Sequence, residues 1–392
     1  MQTTSTETRG GEETWNMRLV GHTDMNGHGD GMHINLKDGF AFVGHMGDSR
    51  VGTSIVDVSD PTAPRVVNEI LTPPGTHSHK VQIVGDLLVV NNERNPEERE
   101  APEWAHGLRL FDVSKADRPR EVGFFNTPGK GVHRMTYWHE PYVTMSGSDE
   151  GYTDQFFIAA ELSDPSHPKE VGRWWMPGMH ESAGEERTWP QGRRSAMHHA
   201  IFRGDRAYVG WWDSGLIILD VADITAPTLV SHLDFGAEVS GCTHTALPIP
   251  GKDYLIVTDE STRDPGKEVQ KQVWVVDIAD ERDPKVVAKF PVPEGDFATR
   301  GGRFGPHNIH EGRPGTLQDP NTIYLTYFNA GVRVVDIANP LEPREIAFYV
   351  PETPPGQQAP AFNDILVGPD GLIYVTDRYH GGLYILERTA QS

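Results

Sequence analysis

The chain has 392 residues, a formal net charge of -21, one cysteine (Cys242), 41 glycines and 30 prolines. The charge argues against nucleic acid or an anionic membrane surface as partner, since both want a basic face, and a lone cysteine excludes an internal disulfide. The length is ample for a large core, and the Gly and Pro content points away from long helices toward tight turns.

Residues 1–14 are polar and read as a disordered tail without the apolar core of a signal peptide. No apolar run reaches membrane-spanning length, so a cytoplasmic location is the expectation. From residue 15 to 388 one pattern recurs seven times: a histidine, a short strand, a turn, a second strand, a loop and a third strand ending in an acid. The third strands are plainest, at 53–57, 108–112, 157–161, 216–220, 273–277 and 332–336. They are β-branched and aromatic runs. Each closing acid is followed seven residues later by Pro64, Pro119, Pro168, Pro227, Pro284 or Pro343. An acid hydrogen-bonding its own turn, then a proline with preset φ, leads into a fourth strand. The seventh third strand, 383–387, has no proline after it.

Four short strands per repeat without intervening helix predict an all-β, seven-bladed propeller of four-stranded blades. The last repeat lacks a fourth strand, and residues 15–21 resemble the missing one. The N-terminal strand is therefore expected to close the ring. Insertions fall at 93–106, 176–196 and 290–305, where a rigid scaffold carries lids and specificity.

The third strands and the Asp57 to Pro64 turn resemble the LVIVD-repeat family. That resemblance implies the propeller and little about activity. In architecture and histidine content only, the chain is also similar to selenium-binding-protein and carotenoid-oxygenase propellers. Those hold a metal with channel histidines.

First strands line a propeller channel. Their opening positions align as His79, His133, His198, His244 and His307, with Asp364 in the seventh blade and His33 one place late in the first. His28, His77, His199 and His310 crowd nearby. Second strands return to the same mouth and bring a collar that includes His45, Asp48, Glu93, Arg94, Trp211, Trp212, Asp213, Glu260, Tyr327 and Arg378. Imidazoles converging without thiolates suit a divalent ion such as Fe, Mn, Zn or Cu. The five opening histidines are the candidate ligands, and Glu93, Glu260 or Asp213 the proton-transfer group. Arg94, Trp211, Trp212, Tyr327 and Arg378 are the candidate contacts to a small organic substrate. Cys242 reads as a buried strand-start thiol.

Two other readings stay open. The histidines can be structural, joining blade to blade in a protein-interaction scaffold with Trp211 and Trp212 as its hot spot. Alternatively, the protein binds a metal without catalysis.

Overall fold

A computed structural model describes residues 7–9, 11–47, 50–95, 98, 104–236, 241–265 and 267–389. Seven antiparallel sheets form seven propeller blades. Gly31–Lys37, Phe40–His45, Val51–Asp57 and Arg65–Leu71 make the first blade in strict sequence order. The predicted third strands occur at Val51–Asp57, Gly107–Asp112, Phe156–Glu161, Gly215–Asp220, Val273–Asp277, Val332–Asp336 and Gly382–Arg388. Helix among the described residues is limited to single 3-10 turns at Met25–Gly27 and Glu181–Ala183. No helix there is long and apolar enough to cross a membrane.

The repeated acids are turn residues. Asp57 Oδ1 accepts from Ser59 N at 3.1 Å, and its Oδ2 accepts from Arg65 at 2.7 Å. Asp112, Asp220, Asp277 and Asp336 accept from the backbone two residues on in the same way. In the fourth strands glycine lets the neighbouring blade approach. A Cβ on Gly123 would lie 1.8 Å from Pro165 O in the next blade's turn, and one on Gly172 would lie 2.1 Å from Ile224 O. Apolar layers fill the gaps between blades, as where Phe42 and Ile55 of the first blade meet Leu88 and Val90 of the second.

The N-terminal strand closes the ring, with bounds Met17–Thr23, pairing antiparallel with Gly382–Arg388. The segment before it departs from the expected tail. Glu12–Trp15 adds to the sixth blade against Arg344–Val350, and Glu7–Arg9 pairs outside it. The physical reason is an open edge: the outer strand of the sixth blade offers unpaired backbone groups to any chain beside it. Residues 1–6 and 10 of that tail lie outside the described residues. Deleting residues 17–23 exposes the edge of Gly382–Arg388 and uncovers the seventh-blade core around Met17. A clear fall in melting temperature is expected; an unchanged one would refute closure by this strand.

Candidate functional site

The innermost strands carry a bulge that builds the site. In the third blade the register jumps from Val132 to Arg134, leaving His133 as the extra residue. It jumps from Thr243 to Thr245 around His244, from Gly31 to His33 around Met32, and from Phe362 to Asp364 around Asn363. His198 and His199 both face Gly210. In the second blade the Asn91 side chain interrupts the ladder, accepting from His79 N at 2.9 Å and Lys80 N at 2.7 Å while Asn91 N donates to Lys80 O. A bulge re-aims side chains, so two consecutive residues reach the channel where a regular strand would present one.

Two polar layers result. The outer one is Met32, His79, His133, His198, His244, His307 and Asn363, and the inner one His33, Lys80, Arg134, His199, Thr245, Asn308 and Asp364. His33 lies one place late, as the alignment had it, with Met32 in the opening position. The seventh blade is corrected: Asp364 belongs to the inner layer, and Asn363 takes the opening position.

The five predicted imidazoles form an arc. Ring centroids lie 5.1 Å apart for His79 and His133, 5.3 Å for His133 and His198, 3.6 Å for His198 and His244, and 4.5 Å for His244 and His307. The arc divides by its partners. On one side Glu93 Oε2 lies 3.0 Å from both His77 Nε2 and His133 Nδ1, while Oε1 accepts from Gln155 at 2.9 Å. Burial alone would raise the Glu93 carboxyl; His133 and His77 outweigh it and hold the group well below the carboxylate range. His79 Nδ1 faces the Asn91 amide N–H at 3.3 Å, so its inward Nε2 carries the proton in the neutral ring.

On the other side His307 and His198 have the opposite tautomer. His307 Nδ1 lies 2.7 Å from the Asn363 carbonyl oxygen, which only accepts, so Nδ1 donates and Nε2 keeps a bare lone pair. His199 Nε2 lies 3.1 Å from the Glu311 carboxylate and must donate there. His199 Nδ1 is then an acceptor for His198 Nδ1 at 2.8 Å, which leaves His198 Nε2 bare. His244 Nδ1 pairs with Thr245 Oγ1 at 2.7 Å, and its buried Nε2 has no partner. Burial, then neighbouring charges (His244 for His198, His307 for His244, Lys80 for His307), holds all three well below the usual imidazole value, so they are neutral at pH 7. Donor atoms of His198, His199 and His244 lie within 4.8 Å of one another, and so do those of His244, Glu260 and His307.

The inner layer fixes this side. Glu311 enters the channel from the sixth blade and pairs with Arg134, with His199, and with Arg313 Nε at 2.9 Å. Burial would raise its carboxyl; Arg134 and Arg313 hold it well below the carboxylate range. Glu311, Arg134 and Arg313 were not legible as site residues. The available signal was a charged residue, Lys80 or Arg134, directly after an opening histidine.

Of the predicted collar, Glu93, Arg94 and Trp212 line a 540 Å³ pocket with His77, Lys130 and Arg194. Glu260 lies 3.6 Å from His307 Nε2 and 3.5 Å from Arg303. Arg378 is buried beside the charges of Arg303 and Glu260. Three predicted residues lie elsewhere. Trp211 is fully buried in the core, donating to Ser195 Oγ at 3.0 Å, because its strand position faces the neighbouring blade. Tyr327 is buried in another apolar cluster and packs on Phe304 at 5.2 Å. The Asp213 carboxylate is used up as a loop tie, accepting from Arg194 N at 2.8 Å and Cys242 N at 3.1 Å. Burial pushes the Cys242 thiol up to about 12, which excludes a ready thiolate. Asp48 lies outside the described residues, as do 96, 97 and 99–103 of the first insertion.

The second insertion packs Met176 and Met179 into the core, and its Arg193 and Arg194 pair with Asp234 and Asp154. The family model of the LVIVD repeat matches residues 28–72 and 200–234, which cover most of the first and fourth blades.

The chain carries LVIVD repeats.

No curated protein sequence matches this chain. Solved structures resemble it in fold alone. Raptor from Chaetomium thermophilum aligns with TM-score 0.61 and 10% identity over 95% of this chain and 29% of that one. A chain of the Mitotic Checkpoint Complex aligns at 0.58 and 11% over 100% and 96%. The computationally designed Ika8 protein aligns at 0.50 and 9% over 94% and 97%.

Buried neutral histidines also make this propeller acid-sensitive. Burial pushes His45 and His310 down to about 4, and burial with Arg313 also holds His33 well below the usual imidazole value. In the unfolded chain they titrate near 6.5. Between those values unfolding takes up protons, so stability is full above about 6.5 and falls as pH drops toward about 4. A urea midpoint well below its neutral value at about pH 4.5 is expected. Equal midpoints would contradict it.

Proposed function

We propose that this propeller is a metal-dependent enzyme acting on a small anionic organic molecule at the channel mouth. The observation that carries the reading is the pair of bare nitrogens on His198 and His307, with the buried, partnerless Nε2 of His244 between them. Each has its outer nitrogen held by a hydrogen bond, the pattern of histidines that ligate metals. Neutral imidazoles without thiolates fit Fe, Mn, Zn or Cu. The cluster of His77, His79 and Glu93 also has donors within 4.8 Å of one another. It fits less well, because His79 turns a proton inward and both Glu93 oxygens already accept hydrogen bonds.

A divalent ion held there supplies a Lewis acid that polarises a carbonyl or acidifies water. Glu260, beside His307, is placed to take the proton. Arg94, Lys130 and Arg194 line the adjoining pocket and favour an anionic substrate, with Trp212 as an apolar wall under Arg194 at 4.2 Å. Glu93 and His133 stand in that pocket as a second proton-transfer pair.

Elemental analysis of the purified protein, before and after chelation and reloading, tests the reading. About one equivalent of metal per chain is the expected result. Absence of metal from every folded preparation would put the scaffold reading ahead.

A further inference from the structure

The innermost strands start at the histidine arc and end on the far face of the ring. There Val132–His139 of the third blade turns into Tyr142–Gly147, and His199–Arg203 of the fourth turns into Arg206–Trp211. Between these two hairpins and the turn at 221–225 lies a 450 Å³ cavity, walled by Trp138, Tyr142, Phe202 and Ile224. Small-molecule sites of about 300–1,000 Å³ have such apolar and aromatic walls with a few polar groups among them.

The polar groups here are incompletely paired. Thr136 and Thr144 stand opposite each other in the third-blade hairpin, and both line the cavity. Thr136 Oγ1 donates to the Ala200 carbonyl of the next blade at 2.7 Å. Thr144 is 4% exposed, and its Oγ1 has no partner. Trp138 Nε1 is also buried without a partner, in the wall this cavity shares with a smaller one of 190 Å³ at the end of the channel. Buried polar atoms in folded proteins are nearly always hydrogen-bonded, so these two call for a polar group from outside the chain. The indole N–H only donates, so that group must be able to accept.

Charge narrows the choice. The cavity carries the carboxylates of Glu140 and Asp223, and no lysine or arginine among the described residues lines it. Asp223 Oδ1 is occupied within its own turn, accepting from Thr225 N at 2.9 Å and Thr225 Oγ1 at 2.6 Å. Glu140 has no hydrogen bond or ion pair among the described residues. A free carboxylate beside three aromatic rings suits an organic cation, drawn by the carboxylate and by the ring quadrupoles.

We propose that this far-face cavity binds a small organic cation: an amine with an apolar body and an oxygen that can both donate and accept. Its ammonium pairs with Glu140, its body packs among Trp138, Tyr142 and Phe202, and its oxygen takes the hydrogen bonds that Thr144 and Trp138 lack. This site does not depend on the metal reading, because it lies at the opposite end of the innermost strands from the histidine arc.

The test titrates the full chain calorimetrically with three probes. Tyramine carries both ammonium and hydroxyl, phenethylamine lacks the hydroxyl, and tyrosol replaces the ammonium by a neutral group. One tyramine per chain is expected, with the other two weaker by about tenfold each. Glu140→Gln should weaken tyramine by a similar factor and leave tyrosol unchanged. Thr144→Val should weaken tyramine, leave phenethylamine unchanged, and give an equal or higher melting temperature, since a methyl replaces an unpaired buried hydroxyl. His244→Ala should bind tyramine like the parent, which separates this site from the channel mouth. Failure of the folded parent to bind tyramine would overturn the site. So would tyrosol binding as tightly as tyramine, an unchanged tyramine affinity in Glu140→Gln, or a lower melting temperature in Thr144→Val.

Discussion

On the proposed metal reading, His244→Ala is expected to abolish metal binding while leaving a folded ring. His244 stands between His198 and His307 and belongs to both donor groups on that side of the arc. Its removal leaves two histidines separated by a gap, too few for a closed set of protein ligands. His198→Ala and His307→Ala should act in the same direction. His199→Ala removes the group that fixes the His198 tautomer, and should weaken metal binding by about 10–100-fold without removing a ligand. His79→Ala is the internal control, since its inward nitrogen carries a proton; stoichiometry should stay with the parent. The readout is metal per chain by elemental analysis, with circular dichroism to report folding. If His244→Ala keeps its metal and Glu93→Ala loses it, the ion sits on the opposite side of the arc and the assignment of ligands is wrong.

The largest expected loss of stability comes from Glu311→Ala. Two guanidiniums, Arg134 and Arg313, are buried on this one carboxylate, and their side chains are 1% and 6% exposed. Deleting the acid strands both charges. Breaking a buried pair in this way costs about 3–5 kcal/mol, against about 1 kcal/mol for a typical substitution. Replacing the three together, as Arg134→Met, Glu311→Leu and Arg313→Met, should recover most of the loss, because the charges then leave with their partner. Urea unfolding of the single and triple variants measures this. A Glu311→Ala protein with the parent's midpoint would show that the network contributes nothing.

How much of this was legible differs by level. The propeller was, because the acid-x6-Pro spacing and the β-branched third strands are local features written once per blade. The ring of imidazoles was visible too, as a recurring residue type. The layering was not. Strict alternation would send His133 and Arg134 to opposite faces, and only the bulge between Val132 and Arg134 brings both to the channel. Tautomers were beyond reach for a related reason: His307 is set by a carbonyl on Asn363 and His199 by a carboxylate on Glu311, partners far away in sequence. Trp211 and Tyr327 misled because a strand end reads the same whether its side chain faces the mouth or the next blade. The strands at Glu7–Arg9 and Glu12–Trp15 were hidden in a polar segment whose pairing depends on an exposed edge and not on its own propensity.

The N-terminal segment has a mechanical consequence. Residues 12–23 grip two neighbouring sheets, with the corner at Asn16, a residue at φ 55°. Asn16 and Thr389 are joined by a backbone hydrogen bond at 3.0 Å, so the two ends of the seam lie side by side. Tension applied between them loads Met17–Thr23 as a zipper, the weak geometry in which bonds break in succession. Glu12–Trp15 lies ahead of that zipper and is anchored to a different sheet. A pull from the N-terminal side must therefore strip the sixth blade before it reaches the seventh, which makes the short outer strand the fuse of the ring.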